Sequence, residues 1–219
     1  MTVLEAIRER HSVRSYLDRA IEAEKRDALN FEIAKCNAEG NLSIRLITDE
    51  PRAFAGLIAR YGRFENVKNY IALAGKDGRD LSERVGYYGE RLVLLAQTLG
   101  LNTCWVAGSH SKSEARKHSG LKDGEKLIAV ISIGYGKTQG KPRKSKPLHA
   151  LYTAESEPPE WFLSGVEAAM LAPTAINQQR FLISLKDGKV TIKDKGGFYS
   201  KIDLGIVKYH FEIATRRPL

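Results

Sequence analysis

The feature that most constrains the fold is the alternation of helix-like and strand-like segments, which ends in a hairpin. The predicted helices cover residues 3–10, 22–38, 51–61, 80–99, 111–120, 160–171 and 203–215. The predicted strands cover residues 42–48, 69–75, 102–107, 126–133, 181–185 and 189–193. Asp187-Gly188 is a strong signal for a two-residue hairpin turn between the last two strands. Because a hairpin joins antiparallel neighbours, the sequence predicts an α+β fold with helices packed on a mixed or antiparallel sheet.

Local signals place several boundaries. Asp80 with Glu83, and Ser111 with Glu114, have the spacing of a capping box at a helix start. The segment 126–133 is the most apolar of the predicted strands and is expected at the centre of the sheet. Residues 134–159 carry many glycines and prolines and are predicted to form an extended connector.

Composition and charge limit the function classes. The chain has 35 Lys+Arg against 26 Asp+Glu and a net charge of +9, which favours anionic partners or simply keeps the surface solvated. The dense basic run 137–146 holds no aromatic residue, so base stacking gets little support. No apolar run is long enough to cross a bilayer, and the first ten residues read as an amphipathic helix and not a secretory signal. We therefore expect a cytoplasmic protein without a membrane partner.

Two segments are candidates for binding a phosphorylated, flat ligand. The arginine segment, Arg10–Tyr16 (RHSVRSY), brings two guanidinium groups and a hydroxyl together, and such groups bind phosphate. Its alternative is an ordinary basic helix end. The Pro173 loop, Ala172–Arg180 (APTAINQQR), offers Asn177, whose amide suits the edge of a heterocycle. Its alternative is an Asx turn that only shapes the loop.

The sequence contains no motif for a phosphate loop, a metal site or nucleophilic catalysis. Gly134–Thr138 lacks the spacing of a phosphate loop, because Ile131 stands where its first glycine is needed. The five histidines have no metal-ligand spacing, and Cys36 and Cys104 have no neighbouring histidine that would activate a thiolate. We nominate no metal ligand and no catalytic acid, base or nucleophile.

Four segments together resemble the nitroreductase family of FMN enzymes. The arginine segment looks like the family's opening Arg-[Arg/His]-Ser-Val-Arg-x-[Phe/Tyr] signature, and the Pro173 loop is similar to its Ala-Pro-Ser-x-x-Asn-x-Gln-Pro-Trp loop. Residues 100–108 (GLNTCWVAG) resemble its Gly-Leu-x-Thr-Cys-Trp strand, and residues 144–148 (KSKPL) resemble its basic segment. The resemblance implies an α+β fold in which two subunits build FMN sites.

The resemblance also implies site residues. Arg10, Ser12 and Arg14 would hold the FMN phosphate or ring edge with His11 alongside, and Lys144 and Lys146 would complete the phosphate clamp. The backbone at Ala107 and Gly108 would approach flavin N5. The far side of the ring would be lined by Pro173, Thr174, Ala175 and Asn177.

This sequence departs from the family in the order of its motifs. The family's proline loop comes soon after its arginine signature, whereas here residues 28–47 lack it and it occurs at 173, in the second copy of a weak helix–loop–strand–helix repeat. That second copy has no arginine signature. The sequence therefore resembles a fused, pseudo-dimeric variant with a nitroreductase-like half at 1–150, a shorter half-repeat at 158–219 and one FMN site between them. Arg180-Phe181 replaces the family's Pro-Trp.

The implied activity is an FMN-dependent NAD(P)H oxidoreductase that reduces nitroaromatic, quinone or related acceptors in ping-pong order through flavin N5. The expected partner is a small-molecule electron acceptor, and the expected assembly is a monomeric pseudo-dimer or a homodimer. One alternative is a flavin-binding or sensor protein without turnover. The other is a basic nucleic-acid-binding protein, which predicts steeply salt-dependent retention on DNA.

Overall fold

A computed structural model describes all 219 residues, and the chain divides into two compact units. The terminal unit consists of Met1–Glu9, Ser82–Arg91 and Arg143–Leu219. The central unit consists of Arg10–Leu81 and Leu92–Pro142. Each unit is assembled from more than one segment of the chain. The division into halves at 1–150 and 158–219 stays a prediction.

Seven α-helices and seven strands make up the two units, which confirms the α+β class. The helices are α1 (Val3–Glu9), α2 (Ala23–Gly40), α3 (Leu57–Tyr61), α4 (Leu81–Thr98), α5 (Lys112–Ser119), α6 (Glu160–Met170) and α7 (Ser200–Thr215). The strands are β1 (Arg45–Ile47), β2 (Tyr70–Lys76), β3 (Asn102–Val106), β4 (Glu125–Gly134), β5 (Tyr152–Ala154), β6 (Phe181–Lys186) and β7 (Lys189–Asp194). None of the helices combines the length and the apolar character that a membrane span requires.

The central unit contains a four-stranded antiparallel sheet in the order β1-β2-β4-β3. The apolar strand β4 lies inside this sheet, as its composition predicts. Tyr70, Ala72 and Val130 of β2 and β4 belong to one buried cluster that also contains Val13 and Tyr16 of the arginine segment. Burial of this cluster anchors the arginine segment to the sheet.

The terminal unit contains the three-stranded sheet β5-β6-β7. β6 and β7 form the predicted hairpin, and its turn residues Asp187 and Gly188 both have positive φ, at 48° and 71°. Such a turn matches the right-handed twist of the paired strands. Helix α7 packs on α6 and on β7, and Gly165 of α6 lets the Phe211 ring of α7 approach its backbone.

The structure differs from the sequence prediction at three places. The segment 51–61 is broken into a 3-10 turn at Arg52–Phe54 and the short helix α3, because Gly56 between them is extended at ψ 170°. Strand β5 lies inside the predicted connector and pairs in parallel with β6. Asp80 makes no side-chain bond that caps α4, whereas Ser111 caps α5 by accepting a hydrogen bond from the Glu114 backbone.

Candidate functional site

In the central unit, the arginine segment runs as an extended chain between β3 and Glu65. On one edge the Val13 N–H donates to the Thr103 carbonyl at 3.0 Å, and further along this edge the Lys137 N–H donates to the Ser15 carbonyl at 2.9 Å. On the other edge the Glu65 N–H donates to the Arg14 carbonyl at 2.9 Å. Hydrogen bonds along both edges fix the backbone, so alternate side chains point to opposite faces.

The alternation holds over residues 12–14, where exposed Ser12 and Arg14 flank buried Val13, and it is broken at Tyr16, which is buried as well. Val13 and Tyr16 are buried, and the Tyr16 hydroxyl donates to the Val13 carbonyl at 2.7 Å. Ser12 and Arg14 are exposed, whereas Arg10 is 2% exposed. Of the predicted phosphate contacts in this segment, Ser12 and Arg14 are therefore the two most open to a ligand.

Cys104 of β3 lies beside the arginine segment. Burial raises the pKa of its thiol, and the charge of Arg14 and a hydrogen bond with Ser12 act against that shift. The Arg14 charge and the Ser12 hydroxyl are therefore close to one buried point on β3. A thiol whose pKa is raised is a poor nucleophile.

Ala107 and Gly108, the predicted contacts to flavin N5, follow β3 directly. Ala107 is half-buried and Gly108 is exposed, and both lie in a bend with no assigned helix or strand. Their backbone groups are therefore outside the ladder of the sheet, which leaves them available to a ligand.

In the terminal unit, the Pro173 loop and the basic connector are joined by hydrogen bonds. The Asn177 side-chain amide donates to the Lys144 carbonyl at 2.8 Å. The side-chain oxygen of Gln179 accepts from the Lys146 N–H at 2.7 Å, and the Lys146 ammonium donates to the Gln179 carbonyl at 2.8 Å. Asn177 therefore reaches across to the connector, which differs from the Asx turn that was its alternative. The structure unites these two predicted groups.

The Pro173 loop is also tied to its own helix. Pro173 is buried, Thr174 and Ala175 are half-buried, and Asn177 is exposed. The Thr174 hydroxyl oxygen accepts from the Gln179 N–H at 3.0 Å, and the Gln179 side-chain amide donates to the Met170 carbonyl of α6 at 2.8 Å. Gln179, at 1% exposed, is the residue around which the loop is built.

The predicted residues fall equally into the two units. Arg10, His11, Ser12, Arg14, Ala107 and Gly108 lie in the central unit, and Lys144, Lys146, Pro173, Thr174, Ala175 and Asn177 lie in the terminal unit. The exposed guanidinium, hydroxyl and ammonium groups among them suit an anionic ligand such as a phosphate ester. The amide of Asn177 donates one N–H to the Lys144 carbonyl, so its oxygen and its second N–H are the groups that suit a heterocycle edge. Each unit thus holds donors of a kind that FMN would need, although the Lys146 ammonium is already engaged within its own loop.

Sequence reasoning missed two buried polar residues near these groups. Asp203 of α7 accepts hydrogen bonds from the Pro173 loop, and His110 is a buried histidine that follows the Ala107-Gly108 bend. An aspartate in the first turn of an apolar helix is a weak signal, because it also serves as an ordinary helix-start residue. A histidine carries no sequence signal of its burial.

A cluster of titratable residues that the sequence did not predict as a site lies in the central unit. Ligand atoms of Glu50, Glu114 and His118 are within 4.8 Å of one another. Arg52 donates to Glu50 at 3.0 Å and contacts the His118 Nε2 at 3.0 Å. The cation at this cluster is therefore a guanidinium of the chain itself.

Comparison with known proteins gives a consistent result. Residues 2–215 match the model of the family described as "Putative TM nitroreductase". A crystal structure of a "putative nitroreductase" from Thermotoga maritima is 25% identical, with a TM-score of 0.67, and the match covers 99% of this chain and 84% of that one. No protein of curated function matches the chain in sequence.

Two further structures share the fold. A "putative nitroreductase in complex with FMN" from Desulfovibrio desulfuricans has a TM-score of 0.57 at 21% identity, over 72% of this chain and 98% of that one. An "FMN-dependent nitroreductase" from Clostridium difficile has a TM-score of 0.52 at 18% identity, over 64% of this chain and 90% of that one. At these identities the similarity establishes the fold alone.

Proposed function

This chain belongs to the nitroreductase family whose model it matches, and from that premise we propose that it is an FMN-dependent oxidoreductase. We propose NAD(P)H as the electron donor and a quinone, nitroaromatic or related small molecule as the acceptor. Similar folds described with FMN support the choice of cofactor. When bound, FMN supplies hydride acceptance and donation at N5, so donor and acceptor react in turn.

In this proposal the residues of the chain bind FMN and polarise its ring, and none of them exchanges a proton. Arg14 and Ser12 of the central unit would hold the phosphate or ring edge. Lys144, exposed beside the Pro173 loop, would add positive charge. The backbone at Ala107 and Gly108 would donate to the ring, and fixed dipoles of this kind stabilise charge that develops during reduction.

One observation carries the proposal more than any other. The arginine segment is fixed along both backbone edges and leaves Ser12 and Arg14 exposed beside β3. A rigid backbone that presents a guanidinium and a hydroxyl has already lost the conformational entropy that binding would otherwise cost. This is an arrangement suited to anion capture.

Arg14→Ala tests the phosphate contact. Loss of a charge-assisted hydrogen bond costs about 1.5–3 kcal/mol, so the Kd for FMN should rise roughly 10- to 150-fold. Quenching of FMN fluorescence on titration with purified apoprotein measures that constant.

The matched control is Arg79→Ala. Arg79 is also exposed, but it lies just after the last residue of β2. The backbone of Arg14 is bonded to Glu65, which precedes the first residue of that strand. The two arginines are therefore near opposite ends of β2. We expect the control to bind FMN as the unaltered protein does. An equal Kd for the Arg14→Ala variant and the unaltered protein would show that Arg14 does not contact FMN. An unaltered protein that binds no FMN would contradict the proposed function.

Turnover separates an oxidoreductase from a flavin-binding protein without activity. Anaerobic addition of NADH or NADPH to the flavin-loaded protein should bleach the flavin absorbance, and a quinone should restore it. Bound FMN that neither nicotinamide reduces would favour the non-enzymatic alternative.

A further inference from the structure

The Pro173 loop holds an unusual backbone. Ile176, Asn177 and Gln179 all have positive φ, at 47°, 55° and 44°. Residues other than glycine pay roughly 1–2 kcal/mol each for this left-handed conformation, and a β-branched isoleucine is especially disfavoured there. The loop therefore needs specific bonds from its surroundings to keep its shape.

Asp203, in the first turn of α7, supplies two of those bonds. Its Oδ1 accepts from the Ala175 N–H at 2.9 Å, and its Oδ2 accepts from the Gln178 side-chain amide at 2.7 Å. The same Gln178 amide nitrogen donates to the Phe198 carbonyl at 2.8 Å. Asp203 is 7% exposed, so these bonds are shielded from water.

We propose that Asp203 is a positioning residue for the FMN site, which holds the Pro173 loop in its ligand-binding shape through Ala175 and Gln178. This inference rests on the proposed function, because it assigns a purpose to the loop that Asp203 supports. Asp203 acts through the loop and is not placed in contact with the cofactor.

The hydrogen bonds require a carboxylate and not just a polar side chain. Two donors point at Asp203, and a carboxylate accepts from both with no donor of its own. An asparagine would place an N–H group opposite either Ala175 or Gln178. The Gln178 amide cannot simply turn over to accept, because its oxygen would then face the Phe198 carbonyl.

The protonation state of the Asp203 carboxyl should change with pH. Burial raises the pKa of this carboxyl to about 6, although the bonds from Gln178 and Ala175 lower it. The charged groups nearby on α7 are paired with neighbouring elements, Lys201 with Asp194 at 2.8 Å and Lys208 with Glu83 at 2.5 Å. None of these four is among the causes of the shift. Protonation of Asp203 below about pH 6 would put a hydrogen against one of its two donors and loosen the loop.

The test is FMN affinity as a function of pH in the full chain, measured by fluorescence quenching. At pH 7.5 we expect Asp203→Asn to raise the Kd five- to tenfold. The unaltered protein should lose affinity more steeply than the variant as the pH falls through about 6. The FMN phosphate also titrates near pH 6, with a pKa of about 6, but it does so for both proteins, so the difference between their curves isolates Asp203.

A matched control distinguishes positioning from general damage. Asp194→Asn serves this purpose, since Asp194 bonds Lys201 and Ser200 but not the Pro173 loop. It should change the Kd less than twofold.

If Asp203→Asn does not fold, Gln178→Leu removes the hydrogen bond from Gln178 to Asp203 and should raise the Kd for FMN by a similar factor. A Kd within twofold of the unaltered protein in a folded variant of either kind, with parallel pH curves, overturns the positioning role. An unaltered protein that binds no FMN overturns the proposed function itself, and this inference with it. The two failures are therefore distinguishable.

Discussion

His110 is a buried side chain that gains nothing from hydrogen bonding. It is 3% exposed, and neither ring nitrogen has a partner. The ring lies 6.2 Å from the Phe54 ring, between centroids. Burial, with a smaller contribution from the Lys112 charge, lowers its pKa to about 4. The ring is therefore neutral at pH 7.

Acid should destabilise the protein through this residue. Because its pKa is lower in the folded state than in the unfolded state, stability is complete above the unfolded value of 6.5 and is lost as the pH falls towards 4. The full difference is about 3 kcal/mol, of which about 2 kcal/mol is lost by pH 5. The His110→Phe variant lacks this loss. We therefore expect its unfolding free energy, relative to that of the unaltered protein, to be about 2 kcal/mol higher at pH 5 than at pH 8.

Urea unfolding at the two pH values measures this change. The pH 8 comparison is the control, because the ring is neutral in both states there and only packing differs. A difference in unfolding free energy that is the same at both values would contradict the assigned burial of a neutral ring.

At the scale of residues, the sequence identified groups with a local chemical signature and missed those defined by their surroundings. The side-chain chemistry and spacing of Ser12 and Arg14 favour anion binding, which stays a prediction. Asp203 and His110 have ordinary sequence neighbours, and their roles come from burial and from partners distant in the chain. No local pattern encodes these properties.

Two glycines bring helices together in the terminal unit. A Cβ at Gly205 of α7 would collide with the Glu83 carbonyl and the Tyr87 nitrogen of α4, and a Cβ at Gly86 would collide with the Ile202 carbonyl. These neighbours are backbone atoms, which cannot rotate away. The close approach of the two helices therefore depends on glycine at both positions.

Gly205→Ala should destabilise the protein despite the better helix propensity of alanine. Overpacking costs about 1–3 kcal/mol, against a propensity gain of up to about 1 kcal/mol. We expect a Tm lower by several degrees in a thermal melt. Gly56→Ala is the matched control, because no atom lies within 4 Å of its Cβ position. Equal melting temperatures for both variants would show that the helices can separate without cost.

At the scale of elements, the range of the interaction explains part of the outcome of the sequence prediction. The β6–β7 hairpin and the Ser111 cap are local, and both are confirmed, whereas the equally local cap predicted at Asp80 does not form. Strand β5 has only three residues and is defined by pairing with β6, almost thirty positions later. A short strand of this kind has too few side chains to display a period of two.

At the scale of the molecule, each chain carries one arginine segment and one Pro173 loop. We therefore expect one FMN per chain, whichever chains supply the two motifs to a site. Flavin absorbance combined with light scattering after size exclusion measures both the stoichiometry and the particle mass.

A monomeric particle with one FMN supports the pseudo-dimer prediction. A dimer with two FMN molecules fits sites shared between chains. One FMN per two chains would contradict a complete set of motifs in every chain.

The composition of the terminal unit has a consequence for biosynthesis. Its segment α1 leaves the ribosome before the central unit, yet α1 packs against α7, which follows that unit in the chain. Buried Ala6 and Ile7 must therefore wait while the whole central unit is synthesised. At the ~5–20 residues per second of translation, synthesis beyond residue 142 alone takes several seconds. During that interval the apolar face of α1 is a natural target for chaperones that bind nascent chains.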